Sequence, residues 1–121
     1  MKLDLDYIKE ILTQIENVAD GISEQEVKVS ETSPAEVKRQ AYHYRILLDA
    51  DLIDGRILDA GSRDGRAEFI LYRGLTIHGH QALEAMRNDT IWNKVKSLVK
   101  SAGVAGVEKI PGLAIELFLK E

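Results

Sequence analysis

The side chains best equipped for chemistry fall in two places. Between Pro34 and Ala50, Lys38, Tyr42 and Arg45 recur at spacings of four and three, with Arg39 beside them. On a helix that spacing gathers the side chains on one face. Ammonium and guanidinium groups there can donate to phosphates or to base edges. The alternative is an ordinary solvated helix face, and Asp49 on the same side interrupts a purely basic stripe. The second place is the run Gly61-Ser62-Arg63-Asp64-Gly65-Arg66. Arg63 and Arg66 on a tight turn can straddle a phosphate or enter a minor groove. Against this stands a plain hairpin turn, in which Asp59, Asp64 and Glu68 offset both charges.

The three histidines carry less. His78 and His80 lie two residues apart near a helix start, which turns them roughly 200° from each other and denies them a shared metal-facing side. His43 reaches them only through the tertiary fold, and no carboxylate stands at ligand spacing. Structural roles are expected for all three, with no metal and no cofactor. The chain has no cysteine, so disulfides and thiolate sites are excluded. It shows no phosphate-binding glycine loop, no serine or cysteine nucleophile motif and no carboxylate pair at meaningful spacing. A binding protein without catalytic residues is the expectation.

These side chains need elements to hold them. From Leu5 to Ala19 the apolar positions Ile8, Ile11, Leu12, Ile15, Val18 and Ala19 make an amphipathic helix. Asp4 is its N-cap, Asp6 suits the dipole and Gly21 closes it. Val27 and Val29 alternate with polar residues as a short strand. Ser33-Pro34-Ala35-Glu36 starts a helix running to about Ala50, with Val37, Ala41, Tyr44, Leu47 and Leu48 inward. Leu52-Ile53 anchor the chain and Asp54-Gly55 break it. RILDA and AEFILY form a hairpin across Asp64-Gly65.

Thr76 caps a helix through Met86, and Gly79 allows its start to pack closely on a neighbour. Asp89 or Thr90 caps the next helix, with Ile91, Val95, Leu98 and Ala102 on its stripe. Trp92 belongs in the core with its indole N–H satisfied at the edge. Gly103 to Gly106 is a break, and a last helix follows Pro111 with Leu113, Ala114, Leu117 and Phe118 facing the core or a partner.

The order helix, short strand, long helix, two-stranded wing, then C-terminal helices is an α+β, mainly helical, winged-helix pattern. At 121 residues the chain suits one domain, with a core over residues 1–88 and a helical extension over 89–121. A separate short helix and turn usually precede the recognition helix, whereas a strand and loop fill Ala19 to Ser33 here. Either that helix has been lost or the segment from Pro34 is subdivided.

Charge and hydropathy set the setting. The net charge is −4, and residues 1–33 alone hold 3 basic and 8 acidic side chains. Residues 34–73 hold 7 of each, which leaves room for a local basic patch. An acidic total is poor for binding nucleic acid, whose affinity rests on phosphate neutralisation. No apolar run approaches the roughly 18 residues that span a membrane, and the opening MKLDLDYIKE is unlike a signal peptide. A cytoplasmic protein is expected.

Residues 41–53, AYHYRILLDADLI, resemble the recognition-helix-to-wing passage of bacterial winged-helix regulators. Tyr44 and Leu47 stand at its leucine positions, and Ala50, Leu52 and Ile53 match its turn. Asp51 replaces the usual glycine, which costs something if that position is left-handed. The whole chain resembles a narrower group, an uncharacterised family of small bacterial and prophage-encoded proteins carrying a domain of unknown function. The strings that carry it are MKLDLDYIKEIL, Tyr42-His43, Gly74 to His80 and Thr90 to Lys96.

The winged-helix resemblance implies a DNA-binding transcription regulator or phage-related accessory factor. Lys38, Arg39, Tyr42 and Arg45 would meet the major groove of double-stranded DNA, and Arg63 and Arg66 the backbone. The rival is a protein–protein interaction module that kept the scaffold and lost the nucleic acid. A homodimer through the C-terminal helices is expected on the first reading, while burial of those helices within one domain is the alternative.

Overall fold

The computed structural model describes residues 2–27, 34–59 and 68–119, with only the backbone of Pro34, Asp59, Glu68 and Phe69. The expected cap Ser33, strand residue Val29, the hairpin turn Asp64-Gly65, and Arg63 and Arg66 lie outside the described residues.

Helix α1 spans Leu5–Val18. The Asp4 carboxylate accepts the Tyr7 N–H at 3.1 Å, satisfying one of the amide donors that a helix start leaves without a partner. Ile8, Ile11, Leu12 and Ile15 are buried. The expected stripe stops there, because Val18 is half exposed. Beyond the helix the Asp20 carboxylate accepts from the backbone of Ile22 and Ser23. Hydrogen bonding to the charged form lowers its pKa. Gly21 then donates to the Arg73 carbonyl. This turn delivers strand β1, Gln25–Glu26.

Strand β1 pairs antiparallel with β3 (Glu68–Leu75), which pairs antiparallel with β2 (Ile53–Asp59), so the sheet order is β1-β3-β2. Asp54-Gly55 was expected to break the chain, but it lies inside β2 at a shift of register. The shift resolves the conflict. A side chain at position 55 would collide with the Leu71 carbonyl oxygen of β3, so glycine here lets the strand bulge and continue. Ile53, Ile70 and Tyr72 are buried on the inner face, while Arg56 and Arg73 are exposed.

Helix α2, Pro34–Asp49, buries a face centred on His43, Tyr44, Ile46 and Leu47. The expected face is therefore turned: Val37, Ala41 and Leu48 are only partly covered. Past the helix Asp51 has φ +59, so the position is left-handed and the cost of aspartate in place of glycine applies. Leu52 N–H donates back to the Leu47 carbonyl at 3.0 Å. The same residue receives helix α3, Ile77–Arg87. Thr76 donates its N–H to the Leu52 carbonyl and its hydroxyl to the Asp51 carbonyl, and its oxygen accepts from Gly79 N–H. At Gly79 a Cβ would overlap the Leu52 carbonyl oxygen, which bears out the close packing expected there.

Helix α4 spans Asp89–Lys100, but its N-cap is Asn88, whose side-chain Oδ1 accepts from Ile91 N–H at 3.1 Å. Its buried stripe is Ile91, Trp92, Val95 and Val99 rather than one through Leu98, which is 52% exposed. Trp92 is buried as expected, yet its indole N–H finds no acceptor among the described residues. A 3-10 segment, Gly103–Lys109, replaces the expected break. It leads into α5, Ile110–Leu119. Helix α5 packs on α3 and α4, burying Ile110, Pro111 and Ala114 and leaving Ile115, Phe118 and Leu119 exposed. The molecule is thus α+β and mainly helical. Among the described residues no helix is long and apolar enough to cross a membrane.

Candidate nucleic-acid interface

The outer face of α2 carries the four described candidates, and they divide into two pairs. Lys38 and Arg45 are exposed, and Arg39 and Tyr42 are half-buried. The division follows from what lies beside the helix. Arg39 turns toward α1, where it bonds the Asp4 carboxylate at 2.7 Å and sits 4.0 Å from the centre of the Tyr7 ring. Glu36 approaches its other side at 3.7 Å. Asp4 thereby performs two tasks, one oxygen capping α1 and the other holding Arg39. The backbone N–H of Tyr7, more than the Arg39 guanidinium, keeps its carboxyl below the usual range.

His43 is the hinge of this arrangement and is completely buried. Asp4 N–H donates to Nε2 at 2.9 Å, and Nδ1 lies 2.7 Å from the Arg39 carbonyl. A carbonyl only accepts and an amide N–H only donates. The ring is therefore the neutral tautomer with its proton on Nδ1. Tyr7 and Tyr42 meet it edge-on, with ring centres at 4.9 and 5.1 Å. Burial pushes its pKa down, partly opposed by the hydrogen bond to Arg39. His43 is thus a structural residue, as the sequence suggested. His78 and His80 instead stand on the surface, His80 with Nδ1 3.8 Å from Glu16. Among the described residues no three histidine or carboxylate groups cluster as a metal site.

The hairpin contributes a further pair of arginines, Arg56 and Arg73. Arg56 on β2 grips Glu24 through two contacts of 3.1 Å, and Arg73 on β3 reaches the same carboxylate at 3.4 Å. The turn built by Asp20 and Gly21 puts Glu24 there. A carboxylate 32 residues from Arg56 in sequence gives no local signal. The shallow depression around them, about 350 Å³, also includes Asp54, so its formal charge is balanced.

A family model described as "Hypothetical protein (DUF2513)" matches residues 2–105. An uncharacterized protein of Haemophilus influenzae is 30% identical over 101 residues, covering 84% of this chain and 80% of that one. No solved structure matches the chain.

Proposed function

The chain belongs to the DUF2513 family, and we propose that it is a winged-helix protein, without catalytic function, that binds double-stranded DNA as a transcription regulator or phage-related accessory factor. One observation carries the reading. Helix α2, with Lys38 and Arg45 exposed, runs directly into an antiparallel hairpin in a sheet of order β1-β3-β2. On a winged-helix scaffold that helix enters the major groove and the hairpin flanks it. Tyr42 extends the contact surface at its half-exposed edge. Arg39 supports it from behind, since its guanidinium is engaged by Asp4. Arg63 and Arg66 are the wing's backbone contacts in this reading. Between α1 and α2 the described residues hold no helix, and in this reading α2 carries the groove contacts.

The test is fluorescence anisotropy with a labelled mixed-sequence duplex at about 50 and 200 mM salt. Lys38→Ala/Arg45→Ala weakens binding and lowers the salt slope by about 2, one for each phosphate that no longer meets a cation. This pair is preferred to Arg39→Ala, which would also release α1 from α2. Affinity unchanged by the double substitution would refute α2 as the DNA-contacting helix.

A second reading has its own observation. Ile115, Phe118 and Leu119 leave an apolar strip exposed on α5, suited to a protein partner or a second copy of the chain. A monomeric mass by light scattering across the working concentration range, with no binding to duplex, would leave only a different protein as partner.

A further inference from the structure

A second basic surface lies between the start of the chain and α4. Residues 2–6, Arg39 and the α4 residues Asn93, Lys96, Ser97 and Lys100 line a groove of about 810 Å³. Helix α4 presents Lys96 and Lys100 to it one turn apart, with Asn93 and Ser97 on the same face.

The charges in the groove do not cancel. It holds four cations, Lys2, Arg39, Lys96 and Lys100, against two carboxylates, Asp4 and Asp6. Each carboxylate already has a partner: Asp4 binds Arg39 at 2.7 Å, and Asp6 meets Lys96 at 3.4 Å. Lys2 and Lys100 are the surplus. Both are exposed, and neither has an ion-pair partner among the described residues. In a chain of net charge −4 this is a local excess of positive charge, which favours the approach of an anion.

The geometry points to a second contact with nucleic acid, in which Lys2 and Lys100 bind phosphodiester groups along this groove. Lysine is a flexible point charge, suited to a backbone phosphate that demands no planar fork. The groove is open to solvent rather than enclosed, so a polymer can lie in it. Partly buried Leu3 and Leu5 give it an apolar wall. Arg39, which also lines the groove, belongs to the helix that bears Lys38. The inference rests on the DNA-binding reading for its ligand, but its residues are separate from Lys38 and Arg45.

Five proteins decide it in the same anisotropy titration: wild type, Lys2→Ala/Lys100→Ala, Lys2→Arg/Lys100→Arg, Asp6→Asn and Lys38→Ala/Arg45→Ala, each checked for fold by circular dichroism. The groove alanine pair is expected to weaken binding roughly tenfold at about 50 mM salt and to lower the salt slope by about 2. The arginine pair keeps both. Asp6→Asn, which frees Lys96, tightens binding. Wild-type affinity and slope in the groove alanine pair, with the α2 pair impaired, overturn the groove and leave the DNA reading standing. Weakened binding in the groove pair alone upholds the groove and removes α2 as the DNA contact. No binding of duplex by any protein overturns both. Binding of polyglutamate without duplex would assign the groove to an acidic protein segment and also overturn the proposal.

Discussion

Gly79→Ala sets two effects of similar size against each other. Alanine is favoured over glycine in a helix by up to about 1 kcal/mol, so propensity alone predicts a more stable protein. The packing at this position predicts the reverse. The added methyl would overlap the Leu52 carbonyl oxygen and stand 3.0 Å from its carbon. Both belong to backbone, which cannot swing aside as a side-chain tip can.

Overpacking of this kind typically costs about 1–3 kcal/mol. Moving α3 off Leu52 also strains the Thr76 N–H bond to that carbonyl and the Thr76 hydroxyl bond to Asp51, each worth about 1 kcal/mol. The net expectation is a loss of about 2–3 kcal/mol, or roughly 6–12 °C in melting temperature for a chain of this size. Gly112→Ala supplies the matched control. It is likewise the third residue of its helix, and a Cβ there meets nothing within 4 Å. Propensity should then act alone and stabilise by up to about 1 kcal/mol. Thermal unfolding followed by far-ultraviolet circular dichroism reads both. If Gly79→Ala melts at or above the wild-type temperature, the packing argument is wrong.

His43 makes stability depend on pH. Its folded pKa lies below the usual 6.5, so between the two values the unfolded chain binds more protons. The contribution is complete above 6.5 and is lost as pH falls from there toward the folded pKa. Urea midpoints should drop between about pH 7.5 and 5.5, and a His43→Gln variant should show a shallower drop; equal slopes would count against the assignment. At Asp51, φ +59 favours glycine, so Asp51→Gly should gain up to about 0.5–1 kcal/mol and Asp51→Val should lose about 1–2. A valine variant as stable as wild type would contradict the left-handed backbone.

Much of the scaffold could be read from local signals. The caps Asp4 and Thr76 act within three residues of their own position, and the left-handed Asp51 follows a turn visible in the sequence. Errors arose where a distant group decided the matter. His43 counts as polar in any periodicity, yet the Asp4 amide and the Arg39 carbonyl satisfy both ring nitrogens and let it pack as an apolar residue would. Its burial then turns α2 relative to the face expected from Val37 and Ala41. Arg39 looked like an outward cation because Asp4, its partner, lies 35 residues earlier. Asn88 displaced Asp89 and Thr90 as a cap by one or two residues, a choice among three good candidates that only geometry separates. On α2 the exposure of Lys38 and Arg45 follows from their helical spacing, whereas the contact of Arg39 with Asp4 does not.

The contact between Asp6 and Lys96 spans 90 residues of chain, and this has a consequence for biosynthesis. At translation rates of about 5–20 residues per second, the opening segment waits on the order of 5–20 s before its partner on α4 has been made. Meanwhile Ile8, Ile11, Leu12 and Ile15 travel as a greasy stripe on a nascent helix, with α3, one of the helices that cover it, still to come. Helix α1, although made before the helices that cover it, is thus among the last to be locked.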